Sequence, residues 1–258
     1  MLIDSHSHLE MPDFRKDLET VIQRAKESGV EYIFTVGTEK KDWMRALEIA
    51  HSNPSVYAIL GVHPHHAKEI DEETYPTLRK LCRDEKVRAY GEIGLDFYRN
   101  LSPRDVQLKR FREQIVLAKE LRLPIVVHDR EAHEETLEVL KSERAEECGG
   151  IIHCFSGDYE MAKECIEMGF YISIPGTITF KNAEGFQEII KHLPLEFLLI
   201  ETDAPFLAPL PFRGKRNEPS YIRYTAQKVA EIKKVSFEKV ADVTTENAFR
   251  VYRLNCKK

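Results

Sequence analysis

The sequence is poor in cysteine and has no apolar segment long enough to cross a membrane. Its 258 residues include five cysteines, an odd number without a C-x-x-C pair, which excludes the disulfide framework typical of small secreted proteins. No run approaches the roughly 18 apolar residues of a transmembrane helix, and the first residues lack the basic and apolar regions of a signal peptide. We therefore expect a cytoplasmic protein that does not bind membranes. The cysteines are Cys82, Cys148, Cys154, Cys165 and Cys256.

An excess of basic charge is also missing. The chain has 38 lysines and arginines against 43 aspartates and glutamates, a formal net charge of −5. This excludes a protein that coats nucleic acid through its overall charge, but it leaves a local basic patch open. Low-complexity tracts are absent and 42% of the residues are hydrophobic, so the chain does not belong to the intrinsically disordered class.

Short β-branched apolar runs alternate with longer segments of helical spacing along the whole chain. Eight such units predict a (β/α)8 TIM barrel, an α/β fold, as one domain that spans residues 1–258. The alternative is an open doubly wound sheet, but no glycine-rich phosphate-binding loop follows the first strand. The predicted strands are 2–4, 31–36, 56–60, 88–90, 125–127, 151–152, 171–174 and 197–200.

Polar side chains follow most of the predicted strands, at the point where each strand ends. The carboxyl ends of barrel strands meet at one rim, so residues far apart in the sequence come close together there. We therefore expect the functional site at this rim. The residues are His6, His8, His63, Glu92, His128, His153 and Asp203.

The spacing and types of these residues indicate a metal site. His6 and His8 lie two residues apart, so both imidazoles point the same way from an extended strand. Glu92 directly follows a buried strand, and a carboxylate can bridge two metals through its two oxygen atoms. The sequence thus predicts two sites for divalent cations (Zn²⁺, Mn²⁺ or Mg²⁺) that share Glu92. One consists of His6, His8, Glu92 and Asp203, and the other of Glu92, His128 and His153.

Cys154 is not expected to join these sites. It neighbours His153, and adjacent residues of a strand point to opposite faces. We therefore interpret Cys154 as a packed apolar residue.

Two further features are candidates for substrate binding. His63 lies on the same rim before Pro64, where it suits a substrate hydrogen-bond donor or a general acid, although a turn residue is the alternative. The segment 209–224 carries Arg213 and Arg216 among four basic residues against one glutamate. A solvated loop explains many such runs, but beside a metal site these guanidinium groups are candidates for binding phosphate. The negative net charge favours a short nucleic-acid substrate, or the end of a nucleic-acid strand, over the coating of a long duplex.

The motifs together resemble the TatD-type family of metal-dependent deoxyribonucleases, within the amidohydrolase-like barrels. The resemblance covers essentially the whole chain. It implies a (β/α)8 barrel whose metals are held by His6, His8, Glu92, His128, His153 and Asp203, and the hydrolysis of phosphodiester bonds in DNA, often from a 3′ end. The motifs that carry it are Asp4-Ser5-His6-Ser7-His8, Gly61-Val62-His63-Pro64, Gly91-Glu92-Ile93-Gly94-Leu95-Asp96, His128-Asp129-Arg130, His153-Cys154-Phe155-Ser156-Gly157 and Glu201-Thr202-Asp203-Ala204-Pro205.

We accordingly expect a 3′–5′ exonuclease that acts on single-stranded DNA or DNA 3′ ends, as a monomer. Two cations would hold a bridging water and present hydroxide to phosphorus, while Asp203 accepts the proton. The alternative is a small-molecule amidohydrolase or esterase with the same metals. Many such barrels bridge their metals with a carbamylated lysine, whereas Glu92 occupies that position here. A metal-binding scaffold without activity is a further alternative, disfavoured because buried carboxylates are costly to keep for packing alone.

Overall fold

The protein is a (β/α)8 barrel in a computed structural model that describes residues 1–254. Eight parallel strands follow one another around the ring in chain order. A parallel bridge between Ser7 and Ala204 joins the segment after β8 to the end of β1, and β8 itself lies against β1, so the doubly wound alternative does not apply. Cys256 and the end of the predicted domain lie outside the described residues. The strands are β1 (Leu2–Ser7), β2 (Val30–Gly37), β3 (Val56–Leu60), β4 (Val87–Asp96), β5 (Ile125–Arg130), β6 (Gly150–Ile152), β7 (Phe170–Ile174) and β8 (Leu198–Ile200).

All eight predicted strands are present, but four of them extend further at their carboxyl ends than expected, β2 by the single residue Gly37. β1 continues to Ser7, β4 to Asp96 and β5 to Arg130. The polar motif residues of β4 and β5 pair with each other across the two strands, for example Asp96 with Arg130. The functional motifs are therefore part of the sheet, which gives them a rigid backbone.

Helices cover the outer face of the barrel and bury the main hydrophobic core against it. Within residues 1–254, no helix is both long enough and apolar enough to span a membrane. The helices are α1 (Leu18–Glu27), α2 (Lys40–Ser52), α3 (Thr74–Leu81), α4 (Arg104–Leu121), α5 (His133–Ser142), α6 (Tyr159–Glu167), α7 (Glu184–His192), α8 (Ile222–Lys233) and α9 (Phe237–Val251), with short 3₁₀ helices at Pro12–Phe14, Pro64–Glu69, Ala145–Glu147, Gly176–Thr179, Leu195–Phe197 and Pro219–Tyr221.

A second, smaller core fills the inside of the barrel with one or two residues from seven of the strands. Because side chains alternate along a strand, the residue two positions later points the same way. Val126 is followed in this way by His128, and Ile151 by His153. The apolar layer inside the barrel thus continues directly into the polar residues at the rim. This core consists of Ile3, Phe34, Val36, Ile59, Ala89, Val126, Ile151, Leu199, Ala248, Val251 and Tyr252.

Two register shifts accompany the inward position of Glu92 and His6. Ala89 belongs to the inner core, so simple alternation would point Glu92 outward. The pairing between β4 and β5 shifts between Gly91 and Ile93, and Glu92 faces the interior. The pairing of β1 with β2 shifts in the same manner between Asp4 and Ser7, around His6. Irregularities of this kind re-aim side chains and are common next to active sites.

Candidate metal centre

A cavity of about 820 Å³ opens at the carboxyl ends of the strands. It is lined by six of the seven predicted site residues, and the seventh, His6, is buried against them with 1% of its surface exposed. The structure therefore brings together all seven residues. The six that line the cavity are His8, His63, Glu92, His128, His153 and Asp203.

Four ligand atoms from β1, β4 and the end of β8 surround one position. The Nε2 atoms of His6 and His8 lie 3.3 Å apart. Glu92 Oε2 lies 3.4 Å from the Nε2 of His6 and 3.9 Å from that of His8, and Asp203 Oδ1 lies 3.8 and 3.3 Å from the same two atoms. Ligands bound at about 2.1 Å are about 3.0–3.4 Å apart in octahedral or tetrahedral geometry. Three of the five distances lie in this range and two are longer, so His6, His8 and Asp203, with Glu92 beside them, are the side chains that would hold a divalent cation.

The other carboxylate oxygen of Glu92 faces a second group of imidazoles. Its Oε1 lies 2.7 Å from His128 Nδ1 and 3.4 Å from His153 Nε2. His63 Nε2 is also 3.4 Å away. Glu92 therefore lies between two clusters of nitrogen atoms, with one oxygen turned to each.

The backbone that carries the ligands is fixed by close contacts. Asp203 has a left-handed φ of 53°, and its N–H donates to the carbonyl oxygen of His6 at 2.9 Å. This bond holds the loop after β8 against β1. Gly94 has a φ of 138°, and a Cβ atom there would collide with the carbonyl oxygen of His128. Residues other than glycine with a left-handed φ, such as Asp203, are uncommon and concentrate at functional sites.

Three further carboxylates hold the imidazoles from behind. Glu10 Oε1 lies 3.2 Å from His8 Nδ1, and Glu201 Oε1 lies 3.0 Å from His153 Nδ1. Asp96 Oδ2 lies 3.2 Å from His128 Nε2. Such outer partners orient a ring and make its metal-binding nitrogen more basic. None of these three carboxylates is among the site residues predicted from the sequence, although Asp96 and Glu201 belong to the same strand-end motifs.

The electrostatics of the cluster favour ionised carboxylates. Burial alone would raise the pKa of Glu92, but His153 and His63 lower it well below its usual value. Burial would lower the pKa of His128, but hydrogen bonds with Asp96 and Glu92 raise it to about 9. The pKa of His153 is likewise raised to about 9, by Glu201 and Glu92 against the effect of burial. Protons on these imidazoles compete with a cation for the same nitrogen atoms.

His63 differs from the other histidines of the site. Burial lowers its pKa to about 3, so the ring is neutral at pH 7. Its Nδ1 accepts a hydrogen bond from the backbone N–H of His65 at 3.1 Å, which leaves the proton on Nε2. His63 therefore presents an N–H donor to the centre, and a ring with this pKa is a poor general acid at pH 7.

The prediction for Cys154 is wrong. This residue follows β6 rather than lying in it, and its φ of 44° is left-handed, so strand alternation does not apply. The thiol lines the cavity, and its sulfur lies within 4.8 Å of a ligand atom each of His153 and Asp203. Burial raises the pKa of the Cys154 thiol well above its usual value.

Arg213 and Arg216 do not line the cavity. The guanidinium group of Arg216 donates to both carboxylate oxygens of Asp17 at 2.8 and 2.6 Å. That of Arg213 stacks on the ring of Phe180 at 4.4 Å. The arginines that do line the cavity are Arg99 and Arg130. Substrate binding by Arg213 and Arg216 stays a prediction.

The chain is similar to characterised and uncharacterised hydrolases over its whole length. Residues 3–253 match the family model described as TatD related DNase. The uncharacterized metal-dependent hydrolase YabD of Bacillus subtilis is 49% identical over 255 residues, 99% of this chain and 100% of that protein. The 3′-5′ ssDNA/RNA exonuclease TatD of Erwinia tasmaniensis is 36% identical over 259 residues, 98% of this chain and 100% of that protein. The crystal structure of YJJV, a TatD homolog from Escherichia coli, matches with a TM-score of 0.93 and 31% identity over 98% of both chains.

Proposed function

The chain belongs to the family of TatD-related DNases and is a metal-dependent hydrolase, and from this premise we propose that it hydrolyses phosphodiester bonds at the 3′ end of single-stranded DNA. The observation that carries the proposal is the position of Glu92. Its two carboxylate oxygens face two separate groups of ligand atoms, with His6 and His8 on one side and His128 and His153 on the other. If two divalent cations bind, His6, His8 and Asp203 would hold one and His128 and His153 the other, with Glu92 between them.

The cations we propose are Zn²⁺, Mn²⁺ or Mg²⁺. When bound, they would supply Lewis acidity toward a phosphoryl oxygen and lower the pKa of an attacking water. Mixed imidazole and carboxylate ligands suit Zn²⁺ and Mn²⁺, and Mg²⁺ with additional water.

The side chains around the centre divide the remaining tasks. Burial would raise the pKa of Asp203, but its hydrogen bond with His8 lowers it, so the ionised carboxylate is ready to accept the proton of the attacking water. The Nε2–H of His63 donates to a non-bridging oxygen of the scissile phosphate. Glu92 holds the two halves of the centre in place.

The lining of the cavity favours a phosphodiester over a small cyclic amide or ester. No lysine lines the cavity within residues 1–254, so the carbamylated lysine of many amidohydrolases has no counterpart there. Two arginines, Arg99 and Arg130, do line it. Guanidinium groups match the geometry of phosphate oxygens.

Digestion of 3′-labelled and 5′-labelled single-stranded oligonucleotides, with chelator, Mg²⁺, Mn²⁺ or Zn²⁺ in parallel, tests the proposal. We expect metal-dependent loss of 3′ nucleotides that disappears in His128→Ala. His192→Ala, which removes an exposed histidine of α7, serves as the matched control. If the enzyme binds metal but cleaves no oligonucleotide with any cation, the proposal is overturned in favour of a small-molecule amidohydrolase or esterase. Assays with cyclic amides and lactones would test that activity.

We further propose that the protein acts as a monomer in the cytoplasm. Light scattering after size-exclusion chromatography tests the first point, and cell fractionation the second.

A further inference from the structure

Two exposed aromatic side chains belong to segments that follow strands of the barrel at the rim of the cavity. Phe206, which follows β8, is 49% exposed and lines the cavity. Tyr98, which follows β4, is 60% exposed. β4 and β8 are four strands apart in a ring of eight, so the segments that carry the two rings leave the barrel on opposite sides of the opening. Among the phenylalanines, tyrosines and tryptophan of the described residues, only one other side chain is exposed, Tyr159 at 40%.

The backbone of Phe206 is firmly held beside the metal centre. Its N–H donates to the carbonyl oxygen of Asp203 at 2.8 Å. Its own carbonyl oxygen accepts from Nδ2 of the fully buried Asn217 at 2.7 Å. The ring centroid lies 6.1 Å from that of His8. An apolar ring is thus presented to solvent from a fixed backbone, next to a cation ligand.

The opposite side presents a positive charge. The guanidinium group of Arg130 stacks on the ring of Tyr98 at 4.1 Å and lines the cavity. Arg130 ends β5, two residues after His128. The acidic residues next to it in the sheet, Asp96 and Asp129, pair with His128 and His133 instead, whereas Asp17 neutralises Arg216. Its donors are therefore available to an anion, while the stacking limits its motion.

We propose that Phe206 and Arg130 hold the end of a single nucleic-acid strand by two independent contacts. The ring of Phe206 stacks on the base of the terminal nucleotide, and Arg130, supported by Tyr98, binds a phosphate near the scissile one. Stacking needs a free base face, which an unpaired end offers and a base pair inside a duplex does not. The inference rests on the proposed function and adds the residues that grip its substrate.

Oligonucleotides with an intact or an abasic 3′-terminal nucleotide test the stacking contact. Removal of the base should lower the kcat/KM of the wild-type enzyme by about tenfold, which corresponds to about 1.4 kcal/mol. Phe206→Leu has similar bulk but no π face, so its kcat/KM on the intact end should be about tenfold lower than that of the wild type. On the abasic end its kcat/KM should equal that of the wild type. Phe206→Tyr should keep the dependence on the base. Tyr159→Leu removes the third exposed aromatic ring and should behave as the wild type.

The salt dependence of binding tests the phosphate contact. The probe is a fluorescent single strand with phosphorothioate terminal linkages, followed by anisotropy with the metal-loaded enzyme. Loss of one phosphate contact should reduce the slope of log K against log salt by about 0.7. We expect this reduction in Arg130→Gln, with the dependence on the terminal base unchanged. Arg122→Gln, at the far end of α4, should retain the wild-type slope.

The outcomes separate the two levels of the proposal. If the wild-type enzyme cleaves single strands but Phe206→Leu still depends on the terminal base, the stacking contact is overturned and the nuclease remains. An unchanged salt slope in Arg130→Gln overturns the phosphate contact in the same way. If the wild-type enzyme neither binds nor cleaves any oligonucleotide with any of the cations, the proposed function itself falls, and both contacts with it.

Discussion

Glu201 and His153 form a buried carboxylate–imidazole pair, with 3.0 Å between Oε1 and Nδ1 and exposed side-chain fractions of 0% and 4%. The same Glu201 oxygen accepts a hydrogen bond from the backbone N–H of Cys154 at 2.8 Å. Glu201 thus fixes the turn after β6 by a hydrogen bond and places a negative charge beside the ring of His153. Glu201 does not line the cavity. Its role is therefore to position the imidazole of His153, which does.

Glu201→Gln should weaken cation binding by about 10–100-fold, since an amide neither raises the basicity of the imidazole nor fixes its tautomer as a carboxylate does. Titration calorimetry with Mn²⁺ measures the affinity. The matched control is Glu188→Gln on the exposed face of α7. Wild-type affinity in Glu201→Gln would mean that stacking on His6, with centroids 3.6 Å apart, is enough to orient His153.

Asp203→Asn should preserve the fold and lower turnover by about 10²–10⁴-fold, the usual contribution of a general base. Asparagine tolerates the left-handed φ of 53° at this position, so the backbone bond to His6 should survive. Nuclease assays and thermal melting, made on the same preparation, separate the two effects. An Asp203→Asn enzyme with wild-type turnover would remove Asp203 from the proton transfer.

Regular alternation along the strands made much of the site predictable. The inner-core residues Val126 and Ile151 are followed two positions later by His128 and His153, and the expectation that these histidines share one rim is confirmed. Asp203 also reaches the first strand, as expected from its place at the end of β8.

Irregular backbone geometry limited the rest. Glu92 faces inward because the pairing shifts beside it, and alternation alone would turn it outward. Its prediction rested on its place directly after a buried strand, and the resemblance to a known family implies the same ligand. Cys154 was misplaced because a single left-handed residue cancels the alternation. The supporting carboxylates Glu10 and Glu201 depend on which rings lie within about 3 Å in the folded chain, which local sequence does not specify.

Divalent cations should stabilise the folded protein, because the ligand cluster exists only in the native state. At about 100 times the dissociation constant, binding contributes about 2.7 kcal/mol, which should raise Tm by about 5–10 °C for a domain of this size. Differential scanning fluorimetry with Mn²⁺ or Zn²⁺, reversed by chelator, measures the shift. Glu92→Gln should abolish most of it, whereas Glu238→Gln, exposed in the first turn of α9, should not. If the cation raises the Tm of Glu92→Gln as much as that of the wild type, the stabilising cation binds at another site.

Thr202→Val should destabilise the protein through Asp4, which is fully buried at the seam between β1 and β8. The hydroxyl of Thr202 donates to Asp4 Oδ2 at 2.5 Å, and its backbone N–H donates to Oδ1 at 2.9 Å. Valine keeps the shape and the backbone bond but leaves Oδ2 without its donor, at a cost of about 1–3 kcal/mol. Urea unfolding in chelator measures the loss without a contribution from bound metal. Thr202→Ser retains the hydroxyl and should stay much closer to the wild type; equal stability of the valine and wild-type proteins would show that this hydrogen bond does not stabilise the seam.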